Sequence, residues 1–226
     1  ATAGGGYYFS FGVKTDGTLW TWGKNPEGQL GVGNTTDYSS PIQVGSLTDW
    51  STTIVPVAGY QCMSAIKQDG TLWAWGSGGY GQLGVGNESN YSSPIQVGSD
   101  TDWIAQSRNL GPGSAGFMGM RGTSEVNGAL WACGSGSQGQ LGLGDTANKS
   151  DLTQVGALTT WKTISFGYQG CAAVKYDGTA WSWGGSYGGL NGDGSTTSRS
   201  SPVQIGALTD WTQWVKASNF STLGIR

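Results

Sequence analysis

The sequence predicts an all-β protein, a β-propeller made of four-stranded antiparallel blades. Two observations predict it: an aromatic phrase that returns four times, and a glycine content of 42 residues in 226 that keeps step with that phrase. The first tryptophan of each copy is residue 20, 73, 131 or 181, so the copies lie roughly 50 to 60 residues apart. A period of this length, with many glycine-rich turns between short strands, is typical of a propeller.

The phrase reads Asp-Gly-Thr-Leu-Trp-x-Trp-Gly at Asp16 and Asp69, varies slightly at Asp177, and weakens to Asn-Gly-Ala-Leu-Trp-Ala-Cys-Gly at Asn127. A Gln-Leu-Gly-x-Gly loop, a Pro-Ile-Gln-Val-Gly segment and a closing tryptophan follow in fixed order. We therefore interpret the chain as one propeller domain with about four repeats, a partial ring or part of a larger propeller or assembly. The domain covers 1–226, with repeats of approximately 1–50, 51–103, 104–161 and 162–211 and a partial fifth at 212–226.

The second repeat shows the strand signals of a blade most clearly. We expect strands at 50–58, 62–67, 71–75 and 93–97, with the Asp-Gly pair as the tight turn between the second and third. Neighbouring blades cover both faces of a blade, so we expect the phrase tryptophans to be mostly buried, and favour packing over a ligand-binding role. They are Trp20, Trp22, Trp73, Trp75, Trp131, Trp181 and Trp183.

The double motif, Asp-Gly-Thr-Leu-Trp-x-Trp-Gly followed by Gly-Gln-Leu-Gly-x-Gly, resembles the regulator of chromosome condensation repeat over essentially the whole chain. The resemblance implies a β-propeller, commonly of seven blades. Members of that family include a guanine nucleotide exchange factor for a small nuclear GTPase, a secreted β-lactamase inhibitor, and many uncharacterised bacterial and phage proteins. No motif in this sequence matches the residues tied to exchange activity, so the resemblance implies the fold and leaves the function open.

Composition and charge disfavour several functional classes. The net charge of −3 argues against nucleic-acid binding, which needs clustered Lys and Arg. No apolar run approaches the roughly 18 residues of a membrane helix. With no histidine, an enzyme is the weakest hypothesis, and we expect no cofactor.

Candidate chemical groups have structural explanations. Asp16, Asp69 and Asp177 occupy one turn position, which favours a structural role over catalysis. The three cysteines, 62, 133 and 171, are expected to be small buried hydrophobes rather than a disulfide or metal site. The segment 191–195 alternates oxygen ligands like a calcium loop but lacks the downstream Glu, so no metal site is expected.

Two departures from the repeat are candidates for specificity. An expanded segment in the third repeat, residues 108–116, begins with Arg108 and Asn109 and accounts for the longest spacing between copies. A loop position reads Tyr38, Tyr91, Lys149 and Arg199 in successive repeats, which we call the rim position. On one rim these side chains would make an aromatic and basic arc for a protein or glycan partner; solvated loop decoration is the favoured alternative.

The leading functional hypothesis is a non-enzymatic structural or recognition propeller that contacts proteins, with an extracellular or virion setting favoured. A lectin-like module that uses exposed Trp and Tyr against sugars is the alternative. The second-strand pattern occurs five times, first at 7–14 and last at 221–226. If 211–217 supplied the missing first strand of the N-terminal blade, a four-bladed ring would close but would leave an unpaired edge. We therefore expect either a fragment of a larger propeller or a chain whose terminal strands complete neighbouring copies, giving head-to-tail self-association that places 211–226 of one copy against 1–14 of the next.

Overall fold

The computed structural model describes residues 1–108, 116–124, 127–167, 169–218 and 221–225. Within these ranges the chain is almost entirely strand and turn, with a short 3-10 turn at Tyr187–Gly189. The strands are β1 (Thr2–Gly5), β2 (Phe9–Val13), β3 (Leu19–Gly23), β4 (Tyr38–Gln43), β5 (Val57–Ala58), β6 (Cys62–Ile66), β7 (Leu72–Gly76), β8 (Tyr91–Gln96), β9 (Trp103–Arg108), β10 (Gly116–Ser124), β11 (Asn127–Gly134), β12 (Lys149–Gln154), β13 (Trp161–Phe166), β14 (Gly170–Lys175), β15 (Ala180–Gly184), β16 (Arg199–Gln204), β17 (Gln213–Ser218) and β18 (Ser221–Ile225).

The strands form four antiparallel four-stranded sheets, β1–β4, β5–β8, β9–β12 and β13–β16, followed by the pair β17–β18. Within each sheet the order in space is the order in sequence. The first strands of neighbouring sheets lie side by side, β1 next to β5, β5 next to β9, β9 next to β13 and β13 next to β17. The sheets are therefore consecutive propeller blades with their first strands innermost, which confirms the predicted fold class.

Each blade has two edges, one at either end of its strands, and the two differ in the loops they carry. In the first blade, one edge carries the turn 6–8 between β1 and β2 and the long loop 24–37 between β3 and β4. We call this edge of the blades the loop face. The opposite edge, the turn face, carries the Asp-Gly turn at 14–18 and the connector 44–49 to the next blade.

The Asp-Gly turn closes a three-residue loop between the second and third strands. In the second blade the Lys67 N–H donates to the Thr71 carbonyl (2.9 Å), and the Gly70 N–H donates to the Lys67 carbonyl (3.0 Å). Gly70 has a φ of +81°, the left-handed conformation that this type of hairpin requires at its last position. Glycine is therefore fixed at that position by the backbone geometry.

A relay of hydrogen bonds joins this turn to the first tryptophan of the phrase. The Thr71 N–H and hydroxyl donate to Asp69 Oδ1 (2.9 and 2.6 Å), and the Trp73 indole N–H donates to Thr71 Oγ1 (2.9 Å). The same relay occurs in the first and fourth blades, through residues 16, 18 and 20 and residues 177, 179 and 181. Each aspartate carboxylate is thus committed to its own turn.

The third blade lacks this relay. Asn127 and Ala129 replace the aspartate and threonine of the phrase, and alanine offers no hydroxyl to the tryptophan. The Trp131 Nε1 is buried and has no hydrogen-bond partner among the described residues. The weakened copy of the phrase therefore lacks the acceptor that the first tryptophan uses in the other blades.

The second tryptophan of the phrase locks neighbouring blades together. Trp75 Nε1 donates to the Gln29 carbonyl of the preceding blade's Gln-Leu-Gly-x-Gly loop (3.0 Å), and Trp183 Nε1 donates to the Gln140 carbonyl (3.1 Å). A Cβ on Gly31 would lie 2.6 Å from the Trp75 indole nitrogen, so the loop needs glycine there to admit the ring. Trp75 and Trp183 are fully buried. The other phrase tryptophans are half-buried: Trp20, Trp22, Trp73, Trp131 and Trp181.

The third blade fills the same junction differently. Cys133 replaces the second tryptophan, and Leu152 stands where the other blades have proline. A Cβ on Gly84 of the preceding loop would lie 3.0 Å from the Cys133 sulfur and 3.2 Å from Leu152. The larger Leu152 side chain thus occupies space near the junction that the missing indole leaves. Cys62, Cys133 and Cys171 are all buried, as expected of small hydrophobes, and the Cys171 thiol donates to the Gln140 carbonyl (3.0 Å).

The predicted strand 50–58 is wrong over most of its length. Only Val57–Ala58 forms a strand, while Trp50 makes an isolated bridge with Lys67. The Ser51 hydroxyl accepts hydrogen bonds from the Thr53 and Ile54 N–H groups. This serine turn competes with the ladder, so the β-branched residues of the segment do not extend the strand.

The expectation that the N-terminal blade lacks a first strand of its own is also wrong. Thr2–Gly5 is the first strand of that blade and pairs with Phe9–Val13 along its length. Gln213–Ser218 pairs with Ser221–Ile225 and lies against the fourth blade instead. The two glycines at the end of β1 hid the strand, because glycine disfavours strands in isolation.

Removing the relay hydroxyl should destabilise the second blade. We expect Thr71→Val to lower the free energy of unfolding by about 1–3 kcal/mol, because it leaves the Trp73 N–H without its acceptor and removes one of the two hydrogen bonds to Asp69. Ala129→Thr is the matched opposite: it gives Trp131 an acceptor, and should raise stability by about 1 kcal/mol. Urea unfolding measures both. If neither substitution changes the free energy of unfolding, the relay contributes no stability.

Acid should weaken the turns that contain aspartate. The side-chain and backbone hydrogen bonds from Thr71 lower the pKa of Asp69 below its ordinary value. Its ionised form therefore contributes stability above about pH 4, and this is lost as the pH falls through the lowered pKa. Melting temperatures between neutral and acidic pH should fall less steeply in Asp69→Asn, which keeps an acceptor oxygen but does not titrate. An unchanged pH profile would contradict this.

Restoring the consensus tryptophan at the junction between the second and third blades should destabilise the protein. Cys133→Trp adds an indole to space that Leu152 partly fills, which should cost about 1–3 kcal/mol. Cys133→Trp combined with Leu152→Pro restores the pair found at the other junctions and should recover part of the loss. Thermal unfolding of both variants tests this prediction. If the variant with Cys133→Trp alone is as stable as the parent, the junction is not overpacked.

Candidate functional site

The rim position lies at one register in all four blades. Each rim residue opens the outermost strand and is the ladder partner of the last glycine of the third strand. The register places these residues on the loop face. They are Tyr38, Tyr91, Lys149 and Arg199.

Each rim side chain fastens its own loop to the start of its strand. In the first blade Asn34 Nδ2 donates to the Tyr38 hydroxyl (3.1 Å). In the second blade Asn87 donates in the same way to Tyr91 (3.0 Å). Aromatic and cationic residues thus perform one local task at an equivalent position.

The basic rim residues do the same through ion pairs. Lys149 donates to Asp145 four residues earlier (2.9 Å), and Arg199 binds Asp193 with 2.7 Å bonds. Burial by itself raises the pKa of Asp193, but hydrogen bonds from Arg199 and Ser195 bring it below its ordinary value. Asp193 lies in the segment that resembles a calcium loop, and its carboxylate is engaged by these protein donors.

The most exposed aromatic cluster on the described surface is one that sequence reasoning missed. Tyr7 and Tyr8 are 50% and 64% exposed. Their ring centroids lie 4.3 Å apart, and Tyr60 of the next blade lies 4.7 Å from Tyr7. A hydrogen bond with Tyr7 raises the pKa of Tyr8. We call Tyr7, Tyr8 and Tyr60 the tyrosine cluster.

The cluster lies on the inner turns of the loop face. The Gly6 and Gly59 N–H groups close these turns, donating to the Phe9 and Cys62 carbonyls (2.9 and 2.7 Å). The signal in the sequence was a Gly-Tyr pair before the second strand at 6–7, 59–60 and 167–168; residue 168 lies outside the described residues. The pair was obscured because glycine is frequent throughout the chain.

The expanded segment connects the equivalent strands of the third blade. Arg108 ends β9 and Gly116 begins β10, so the segment joins them at the loop face. Asn109, with the rest of 109–115, lies outside the described residues. By sequence, this segment takes the place of the Gly-Tyr turn in its blade.

An apolar cavity of about 440 Å³ opens on the first blade beside Trp20, Trp22 and Pro41. Trp22 holds the position at which Trp75 and Trp183 bond to the preceding loop. The cavity therefore lies on the face of the first blade that corresponds to the junction face of the second and fourth blades.

Two further classes of site find no support among the described residues. Nowhere in the described ranges do three or more His, Cys, Asp or Glu side chains gather so that they could hold a metal ion. In the same part of the chain, no helix is long and apolar enough to span a bilayer.

Comparison with known proteins agrees with the repeat pattern. The family model for the regulator of chromosome condensation (RCC1) repeat matches residues 16–61, 69–106 and 127–174. The ultraviolet-B receptor UVR8 of Arabidopsis thaliana is 31% identical over 145 residues, 64% of this chain and 31% of the receptor. The probable E3 ubiquitin-protein ligase HERC4 of Homo sapiens is 32% identical over 159 residues, 68% of this chain and 14% of the ligase. The chain thus spans less than a third of the length of these curated relatives.

Solved structures show the same fold. Prp20p from Saccharomyces cerevisiae superposes with a TM-score of 0.76 at 17% identity, covering 95% of this chain and 53% of that chain. Human WBSCR16 gives 0.75 at 18% identity, covering 95% and 55%. Identities this low establish the propeller fold alone, whereas the repeat segments cover more than half of the sequence. On that evidence, the chain belongs to the RCC1 repeat family.

Proposed function

We propose that this chain is a non-enzymatic recognition propeller that binds a protein partner through its loop face. The observation that carries the proposal is the tyrosine cluster, in which Tyr7 and Tyr8 are half or more exposed. Tyrosine is enriched at the centres of protein interfaces, because it supplies a large contact area and a hydroxyl at low entropic cost. Contiguous exposed aromatic surface of this kind marks interaction sites.

Other features of the loop face support the same surface. The register places the rim position, Tyr38, Tyr91, Lys149 and Arg199, on the same edge of the blades as the cluster. We propose these residues as the polar margin of the interface, with Arg108 and Asn109 on the third blade's connection. Loops on a rigid scaffold commonly carry recognition.

A similar protein of known structure supports a protein rather than a small-molecule partner. Prp20p was characterised for its binding properties to Gsp1p and histones. The same protein, yeast RCC1 (Prp20), has been crystallised with Kap60 bound to it. We extend only the partner class to this chain. Its charged residues are 11% of the sequence, and this low charge suits an extracellular or virion setting, which we include in the proposal.

Glycan binding is the second candidate, and the same cluster favours it. Sugars stack on exposed tyrosine rings through the apolar faces of the sugar ring. The tyrosine hydroxyls can form hydrogen bonds with the sugar hydroxyls. The two candidates differ in what the cluster contacts, so one set of variants separates them.

The tyrosine cluster should act as a binding hot spot. A triple variant, Tyr7→Ser with Tyr8→Ser and Tyr60→Ser, should weaken binding of a purified partner by about 30-fold or more, since hot-spot truncations cost about 2 kcal/mol or more. The partner would first be isolated by affinity capture from the native source and then measured by interferometry. Tyr187→Ser, at a site 53% exposed outside the cluster, is the control and should bind normally.

A glycan array probed with the same proteins tests the alternative. Binding to defined sugars that the triple variant loses would favour the lectin-like function. A protein partner that binds the triple variant as tightly as the parent would overturn the proposed interface. Because Tyr7, Tyr8 and Tyr187 are exposed and Tyr60 is half-buried, thermal unfolding should show all variants folded.

A further inference from the structure

Each of the second, third and fourth blades stacks a cation between two tryptophan rings at the turn face. Lys67 Nζ lies 4.4 Å from the Trp73 ring centroid and 5.5 Å from that of Trp50. Lys175 Nζ lies 3.7 Å from Trp181 and 5.1 Å from Trp161. Arg121 fills the equivalent place in the third blade. The cation is the ladder partner of the closing tryptophan each time.

The carboxylates that pair with these cations differ in number. Lys67 binds Asp49 (3.1 Å), and Arg121 binds Asp100 and Asp102 (both 2.7 Å). Lys175 makes no salt bridge within the described residues, although its side chain is equally buried, at 8% exposure against 9% for Lys67. The nearby Asp177 carboxylate is already bonded to Thr179.

A single substitution accounts for the missing partner. The Gln68 N–H donates to the Asp49 carbonyl (2.8 Å), and the Tyr176 N–H donates to the Thr160 carbonyl (3.0 Å). Thr160 therefore occupies the backbone position of Asp49 and supplies no charge. Leu158 likewise stands where the third blade has Asp100.

The vacant carboxylate position is open to solvent. In the second blade the Asp49 side chain is 46% exposed while it binds Lys67, so a carboxylate can reach this place from outside. Thr160 is exposed, and Leu158 beside it is 44% exposed. The indole faces hold the ammonium in position and strip part of its hydration, which strengthens an incoming charge-assisted hydrogen bond.

We propose that Lys175 and Thr160 form a docking site for a glutamate or aspartate side chain of an acidic peptide segment. The incoming carboxylate takes the place that Asp49 holds beside Lys67. The charge complementarity and the internal precedent of the second blade specify the occupant. The site lies on the turn face, opposite the tyrosine cluster, and does not depend on the function proposed for the loop face.

The probe is a fluorescein-labelled decapeptide of alternating Glu and Ser, titrated against the whole chain by fluorescence anisotropy at low salt. Thr160→Asp supplies the carboxylate internally, so it should weaken binding about tenfold or more and raise the melting temperature. Ala157→Asp adds the same charge in the same connector without reaching the position of Asp49 or Asp100, and should bind nearly as the parent does. Lys175→Met should also lose binding.

Asp49→Thr gives the reverse test, because it recreates the arrangement at Lys67 and should add a second binding site of similar affinity. The tyrosine variants should bind the decapeptide normally, which separates this proposal from the previous one. Equal binding by the parent and Thr160→Asp, or equal weakening by Ala157→Asp, would overturn the site. No measurable binding by the parent, or competition by inorganic phosphate as strong as by the unlabelled peptide, would also overturn it.

Discussion

The indole of the second tryptophan in the second and fourth blades, buried against the loop of the preceding blade, is the contact on which this structure depends. A β-sheet of four short strands has two faces to cover and cannot bury either alone. The bond from Trp75 to the Gln29 carbonyl places one blade against the next and satisfies the buried indole N–H. The glycine at position 31 is required because its missing side chain is the space that the ring occupies. The buried tryptophan and the loop glycine are therefore both required by the same junction.

Periodicity predicted the blades well, because the same physical demand recurs in each unit. The turn glycine, the relay and the junction require the same residue types at the same positions of most repeats. The details that failed are those in which a local interaction replaces the common pattern. The Ser51 hydroxyl bends a segment whose β-branched residues favour a strand, and β1 ends in glycines that carry no strand signal.

The functional surfaces were harder to predict, because they depend on which side chains remain unused. Tyr38 and Arg199 lie at one register of the loop face, but the sequence did not show that each would bind its own loop. The tyrosine cluster brings together residues of two blades that are far apart in the chain. Such proximity follows from the packing of adjacent blades, and its local signal, a Gly-Tyr pair, is obscured because glycine is frequent throughout the chain.

The junction also bears on how such a chain can change its length. Each junction joins only adjacent blades, so duplication or loss of one whole unit by recombination preserves a compatible pair on both sides. The junction between the second and third blades differs from the others, since its cysteine is matched to Leu152 of the same blade. A unit transplanted with both residues keeps that match, whereas a crossover between positions 133 and 152 would pair a tryptophan with a leucine. In the third blade, crossovers outside residues 133–152 therefore preserve the matched pair.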